Sequence, residues 1–299
     1  MSKVIVLGGI LLGVLYQVYK NSEASADTRN HYHLVSEYFI GDTLKRDKPF
    51  LWVHVGAEVN ARKWESFYSR TSTKLNQPYL YITLKSIYDK CSKTFNVCLV
   101  DDTVFDRLIP EWSIKVDTLA NPLKEHYRSL GMTSLVYYYG GMVVPSSLLC
   151  LRDLLPLYQK EKVFVGEMVN HSVLAAKFSP SPVILGGQKG CPTLRAFMAF
   201  QESLAYTNQD VYGTMSRWWL GKPCLDGRFV GVKSAANQPI RMEDLLSTAP
   251  LDLSKDAYAI YLPADELLRS TKFSWFCRLS IQQVLQSKFT LSKHILASY

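Results

Sequence analysis

Two stretches carry the side chains from which chemistry could be built. The run Tyr137-Tyr138-Tyr139-Gly140-Gly141-Met142-Val143-Val144-Pro145-Ser146-Ser147 ends an aromatic helix at two glycines and continues as a short apolar segment. That segment reaches Ser146 and Ser147 without an acidic residue, and neither a proline nor a serine hydroxyl replaces the anionic oxygen that Mg²⁺ or Mn²⁺ demands. The second stretch, Val97-Cys98-Leu99-Val100-Asp101-Asp102, delivers two carboxylates to the end of an apolar strand. Such carboxylates either face the crevice beyond the strand, where open α/β sheets bind ligands, or cap a helix starting at Thr103-Val104-Phe105. Lys124, His126 and Arg128 offer cations that could clamp a diphosphate. Their ordinary reading, an exposed and hydrated helix face, is the expectation.

Other candidates are weaker. Trp52 could stack on a base, but its run Pro49-Phe50-Leu51-Trp52-Val53-His54-Val55 is so apolar that a core position is expected. Gly186-Gly187-Gln188-Lys189-Gly190 lacks the Walker spacing and reads as a turn before a helix opened by Cys191-Pro192-Thr193. Trp218-Trp219 could form a platform for a sugar ring, yet neighbouring helical side chains diverge, so at least one belongs to the core.

The elements that must position these residues follow from periodicity. Pro49–Val55 and Val97–Asp102 read as strands, and between them Leu80, Leu84 and Ile87 fall on one helical face. Strand, helix, strand in this order calls for a right-handed crossover. Asn121 to Tyr139 reads as a helix with Leu123, Leu130, Leu135 and Tyr139 on its apolar face, stopped by Gly140-Gly141. After Leu220 short segments are punctuated by Pro223, Gly227, Gly231 and Pro239, and from Pro263 onward the chain reads as helical.

The order of these pieces over roughly residues 49 to 205 resembles the nucleotide-sugar glycosyltransferases of the capsular-polysaccharide-synthesis type, which share the GT-A-like nucleotide-diphospho-sugar transferase fold. In that family a helix ends in Tyr-x-x-Gly-Gly and the next strand carries Asp-x-Asp, the metal ligands; here Pro145 and Ser147 stand in those places. The family's preceding helix carries Ser-Asp-x-x-Arg, whose Asp and Arg correspond to Ser129 and Met132. The resemblance thus implies an α/β fold with a mixed central sheet flanked by helices, and a donor site that has lost its charged residues together. It implies a candidate substrate cleft containing Trp52, Asp101, Asp102, Gly140, Gly141, Ser146 and Ser147, with no catalytic residue assigned and no metal or cofactor expected. A binding or structural role follows; the alternative is an active, metal-independent transferase using a nucleotide sugar. The blocks Asn76-Gln77-Pro78-Tyr79-Leu80 and Leu262-Pro263-Ala264-Asp265-Glu266 also resemble proteins of large DNA viruses. That likeness implies protein partners in a virion membrane or a minor capsid role.

Composition narrows the partners. The 34 basic and 26 acidic residues give a net charge of +8 but are scattered, without the basic block of a nucleic-acid arm, so no nucleic acid is expected. The six cysteines, Cys91, Cys98, Cys150, Cys191, Cys224 and Cys277, have no zinc-like spacing. Cys98 and Cys150 sit in apolar runs and read as reduced core residues, and an oxidised Cys91–Cys98 pair stays open.

At the amino end, Val4 to Tyr19 is apolar or aromatic except for Gln17 and is bracketed by Lys3 and Lys20. As a helix it spans about 24 Å, near the thickness of a bilayer core once lysines snorkel. A single-pass anchor over residues 1–20 is the expectation, with Gly9-x-x-x-Gly13 as a possible helix contact. A cleaved signal ending at Ala24-Ser25-Ala26 is the rival, opposed by Lys20 and Glu23 in the approach to it. Residues 21–48 then form a polar stalk, 49–220 the α/β domain and 221–299 an extension completing it. The sequon Asn170-His171-Ser172 is usable only if the domain reaches a lumen. The full-length protein is expected to remain in the membrane fraction after an alkaline carbonate wash; recovery of a soluble chain starting near Asp27 would show signal cleavage instead.

Overall fold

The structure, a computed structural model, describes residues 35, 38–41, 44–45, 47–56, 77–169, 178–204 and 211–298. The expected anchor, its glycine pair and the sequon lie outside these residues, as do most of the expected stalk and Asn76 of the block that resembles viral proteins. Among the described residues, no helix is long and apolar enough to cross a membrane.

The chain runs β1 (Phe50–His54), α1 (Leu80–Cys91), β2 (Asn96–Val100), α2 (Val104–Leu108), α3 (Leu123–Tyr139), β3 (Gly141–Pro145) and β4 (Leu148–Cys150). It continues through α4 (Leu155–Tyr158), β5 (Val163–Val169), β6 (Phe178–Gly187), α5 (Pro192–Leu204), α6 (Val211–Trp218) and β7 (Cys224–Leu225). It closes with α7 (Met242–Leu245), β8 (Ala259–Tyr261), α8 (Ala264–Arg269), α9 (Ile281–Gln286) and α10 (Thr290–Ser298). Six strands form one mixed sheet in the order β2-β1-β3-β6-β5-β7, and β4 pairs with β8 in a second, two-stranded sheet. The molecule is therefore a mixed α/β protein with a central sheet.

The alternation of side chains along each strand explains the two cores. Leu51, Val53, Val97, Leu99, Met142 and Val144 point to one face, where they meet Leu84 and Ile87 of α1. Phe50, Trp52, Cys98, Val100 and Val143 point to the other, against Leu135 and Val136 of α3 and Phe197 of α5. Strands buried on both faces read as continuous apolar runs, which is why β1 and β2 were legible without alternation. The helix between β1 and β2 thus lies on one side of the sheet and the helix between β2 and β3 on the other. The expected face of α3 is corrected at one residue: Leu123 opens the helix and is 44% exposed, so the buried stripe begins a turn or more later.

Parallel pairing of β1 with β2 and β3 places His54 beside Val100 and Pro145. The connections leaving β1 and entering β3 pass over opposite faces, so the carboxyl ends of these two strands bound a crevice, the topological switch point of an open α/β sheet.

Gly140 and Gly141 make that geometry possible. Gly140 ends α3 with φ of 77° and donates its N–H to Val136, and Gly141 follows with φ of 106°. A Cβ at Gly141 would collide with the carbonyl oxygen of Phe50 in the neighbouring strand. Gly141→Ala is expected to destabilise the protein by about 3 kcal/mol or more, combining left-handed backbone strain with that clash. Denaturant unfolding of the variant measures it, and a change under about 1 kcal/mol would show that the close approach is not constraining.

Candidate functional site

The crevice holds a cavity of about 300 Å³ bounded by the ends of β1 and β3, the first half of α3, the Ser181–Val183 part of β6, and the C-terminal segment around Ala264. Gly56 and Gln77 also border it. Its polar lining includes His54, Gln77, Glu125, Arg128, Ser129, Ser146 and Ser147.

At its floor the ends of β1, β2 and α3 are tied by charge. Arg128 grips Asp102 with two parallel bonds, Nε to Oδ1 and Nη2 to Oδ2, both 2.7 Å. His54 Nε2 lies 2.9 Å from the same carboxylate, and an ionised carboxylate only accepts, so the imidazole donates. The third guanidinium nitrogen, Nη1, bonds Glu125 Oε1 at 2.8 Å, one helical turn away. Burial alone would raise the Asp102 carboxyl, but hydrogen bonds from His54 and Arg128 and their charges outweigh it and hold the group well below the usual carboxylate range. Asp102 and Arg128 side chains are each only 13% exposed, so this pair is sheltered from the screening that weakens surface ion pairs.

The two readings of Asp101-Asp102 divide between the residues. Asp101 Oδ1 accepts from the backbone N–H of Thr103 at 2.9 Å and from its hydroxyl at 2.6 Å, so Asp101 shapes the start of α2 and does not border the cavity. Asp102 turns the other way, to the guanidinium, and does not itself border the cavity; it lies behind His54 and Arg128, which do. The cation expectation is corrected too: His126 is buried rather than exposed, and Arg128 borders the cavity.

Trp52 is not a cleft residue. It is fully buried, donates its indole N–H to the carbonyl of Gly140 at 3.0 Å, and packs on Phe50 and Tyr139. The apolar surroundings that made it a core candidate in sequence decide its place. Gly140 and Gly141 are also corrected, since they are buried structural residues at the far end of β3 and do not border the cavity. Ser146 and Ser147 do border it. Ser146 offers its carbonyl to the Thr83 hydroxyl at 2.6 Å, and Ser147 is 3% exposed and donates its hydroxyl to the carbonyl of Leu262 at 2.6 Å. Leu262 N–H returns a bond to the Ser147 carbonyl at 3.2 Å, so the C-terminal segment is stitched across the end of β3. Gln77 reinforces the stitch by donating to the Ala264 carbonyl at 3.3 Å.

Elsewhere, Trp219 is fully buried while Trp218 is partly exposed, so the pair splits as helical divergence requires. All six cysteines are free thiols. Cys150 is turned toward Cys91 rather than leaving Cys91 to Cys98, and contact with that thiol, together with burial, raises the Cys150 thiol well above its usual range.

His54 and Gln77 escaped the sequence reading as site residues. His54 carried a usable signal, being a polar residue at the end of an apolar strand, whereas the approach of Gln77 depends on a contact 187 residues away.

Removing one partner of a sheltered ion pair leaves the other uncompensated, so Asp102→Asn is expected to cost about 3 kcal/mol at neutral pH. Because the carboxyl is depressed in the folded state, its contribution is present above the unfolded value near 3.9 and is lost as pH falls through the folded one. The stability gap between wild type and variant should therefore close progressively below about pH 4 in pH-resolved chemical denaturation. A gap that stays constant down to pH 2 would sink the assignment.

No protein-family model matches the chain, and no curated protein matches it. Among solved structures, the chain is similar to the galactosyltransferase LgtC in complex with donor and acceptor sugar analogues, at 10% identity and a TM-score of 0.37, covering 80% of this chain and 99% of that one. An active-site mutant of LgtC is similar at 10% identity and a TM-score of 0.36, covering 71% of this chain and 86% of that one. The functional reading rests on the chain's own cleft.

Proposed function

We propose that this chain is a membrane-tethered protein on a glycosyltransferase-like scaffold whose cleft binds a ligand without a divalent metal and without transferring sugar. The observation that supports this most directly is at the end of β3. Ser147 spends its hydroxyl on Leu262 and is covered by the C-terminal segment, and Pro145 contributes no oxygen ligand through its side chain. Glu125 is the one carboxylate among the described residues bordering the cavity, and its Oε1 is held by Arg128. Arg128, the one lysine or arginine among those residues, is engaged by two carboxylates. A diphosphate would compete with both for that guanidinium. Loss of anionic metal ligands and commitment of the cation point the same way, toward binding or assembly, and the resemblance to viral proteins suggests a virion membrane as the setting.

A second reading keeps catalysis without metal. It is favoured by His54, which borders the cavity and whose Nε2 is held by Asp102; in its neutral form the other ring nitrogen is left as an acceptor for a proton from a hydroxyl.

Titration calorimetry on the full-length protein in detergent, with UDP and GDP in the presence and absence of Mn²⁺, tests the absence of a metal site, and a nucleotide-sugar hydrolysis assay without metal separates the two readings. Any nucleotide affinity is expected to be the same with and without Mn²⁺. Manganese-dependent nucleotide binding, or hydrolysis of a nucleotide sugar by the unmodified protein, would overturn the metal-free binding role. Restoring a carboxylate by Ser147→Asp is expected to destabilise by about 3 kcal/mol rather than create a metal site, because it sets a buried anion against the Leu262 carbonyl. Pro145→Asp, at the half-buried strand end, should fold and still show no manganese dependence.

A further inference from the structure

Away from its charged floor, the wall of the cleft is mostly aliphatic. Leu80 of α1, Met132 of α3, Met215 of α6, Pro182 and Val183 of β6 and Leu268 of α8 all border the cavity, so five elements turn hydrocarbon toward one space. Val183 is 38% exposed at this wall, although its strand runs through the central sheet and its neighbours Ile184 and Leu185 are covered. Uncovered apolar surface in a concavity marks a binding site, and a volume of about 300 Å³ falls at the lower end of the range for small-molecule sites. Two of these side chains are methionines, whose unbranched thioethers adapt to whatever shape lies against them.

The polar side chains on the border are largely engaged with the protein itself. Gln77 donates to the Ala264 carbonyl and accepts from the Cys277 thiol at 3.2 Å, and Ser147 is held by Leu262. An anionic ligand would meet a floor where two carboxylates face one guanidinium. A cationic ligand would meet that guanidinium at the cavity border, with Asp102 behind it. The fitting ligand is therefore uncharged. Its polar end has two groups to meet, the second ring nitrogen of His54 and Ser146, which stand together because the pairing of β1 with β3 sets His54 beside Pro145. One small polar corner beside an aliphatic wall matches a hydrocarbon chain with a single neutral polar end. A sugar ring does not match, since the hydroxyls around its periphery would lie unpaired against the hydrocarbon.

We infer that the cleft binds a single-chain, uncharged amphiphile, its alkyl chain lying against Leu80, Met132, Val183, Met215 and Leu268 and its polar end at His54 and Ser146. This rests on the reading of the cleft as a metal-free binding site and names the class of ligand it takes.

The test uses the full-length protein in lipid nanodiscs, because a detergent is itself a single-chain amphiphile and would compete. The seven methionines carry ¹³C-methyl labels, and Met132→Leu and Met215→Leu identify the two resonances of interest. The probes are 1-butanol, 1-hexanol, 1-octanol and, at pH 7, octanoate. 1-Octanol is expected to give nuclear Overhauser contacts to the Met132 and Met215 methyls and none to Met242, which is buried away from the cavity. Referred to free aqueous concentration, affinity should rise about fourfold per added methylene, the increment for burying one CH₂ group. Octanoate should bind at least tenfold more weakly than 1-octanol. Val183→Asp, which sets a carboxylate at the exposed edge of the wall, should weaken 1-octanol binding at least tenfold. If that variant does not fold, the methyl contacts and the chain-length dependence decide alone. Absence of contacts to both methyls, affinity independent of chain length, octanoate binding as tightly as 1-octanol, or unchanged binding in a folded Val183→Asp would each overturn the inference. Such a failure leaves the metal-free reading of the cleft standing, whereas manganese-dependent UDP binding would defeat that reading whatever the alcohols do.

Discussion

The architecture depends on one steric constraint, the passage of the Gly141 backbone against the carbonyl of Phe50. Because no Cβ intervenes, α3 can end and β3 can begin within two residues, directly beside β1. The Trp52 indole secures the same junction from the other strand by bonding the Gly140 carbonyl. Everything that borders the cleft is placed by this junction: β3 runs from it to Pro145 and Ser147, and α3 runs back from it to Arg128 and Glu125. A glycine pair at one end of the sheet therefore sets the shape of a crevice at the other end, some five residues away along β3.

The floor of that crevice is held by electrostatics of a different kind. Asp102 is satisfied by a guanidinium from α3 and an imidazole from β1, so one carboxylate links three elements that otherwise touch through apolar packing. Such a bond orients as well as attracts, since the fork of an arginine fits a carboxylate in one plane. The cost is that the charges neutralise each other. A guanidinium already paired with two carboxylates has its charge offset where it stands.

Much of the sheet was legible because its signal is local. β1 and β2 are continuous apolar runs, α1 repeats its leucine and isoleucine face, and Gly140-Gly141 stops α3 where the aromatic run ends. The cleft was less legible because its composition is set by side-chain direction and by distant chain. Asp101 and Asp102 are adjacent and equal in type, yet one serves a turn and the other the floor, a choice made by the backbone at a strand end. Trp52, expected in the core over a base-stacking role because its run is so apolar, packs there against Phe50 and Tyr139. His126 sits among lysine and arginine in sequence, but the approach of α5 buries it. The partnership of Ser147 with Leu262 crosses 115 residues and leaves no periodic trace.

That last contact has a consequence for synthesis. Five of the six strands of the central sheet, all but β7, have emerged by residue 187, but the wall formed by Tyr261, Ala264 and Leu268 arrives some eighty residues later. At translation rates of about 5–20 residues per second, the nascent domain spends several seconds with β4 lacking its partner β8 and the apolar end of β3 uncovered. During that interval the unpaired edge and the open crevice are surfaces for chaperones, or for another chain, to hold. The stitch between Ser147 and Leu262 is thus the clasp that ends a vulnerable period in the life of each molecule.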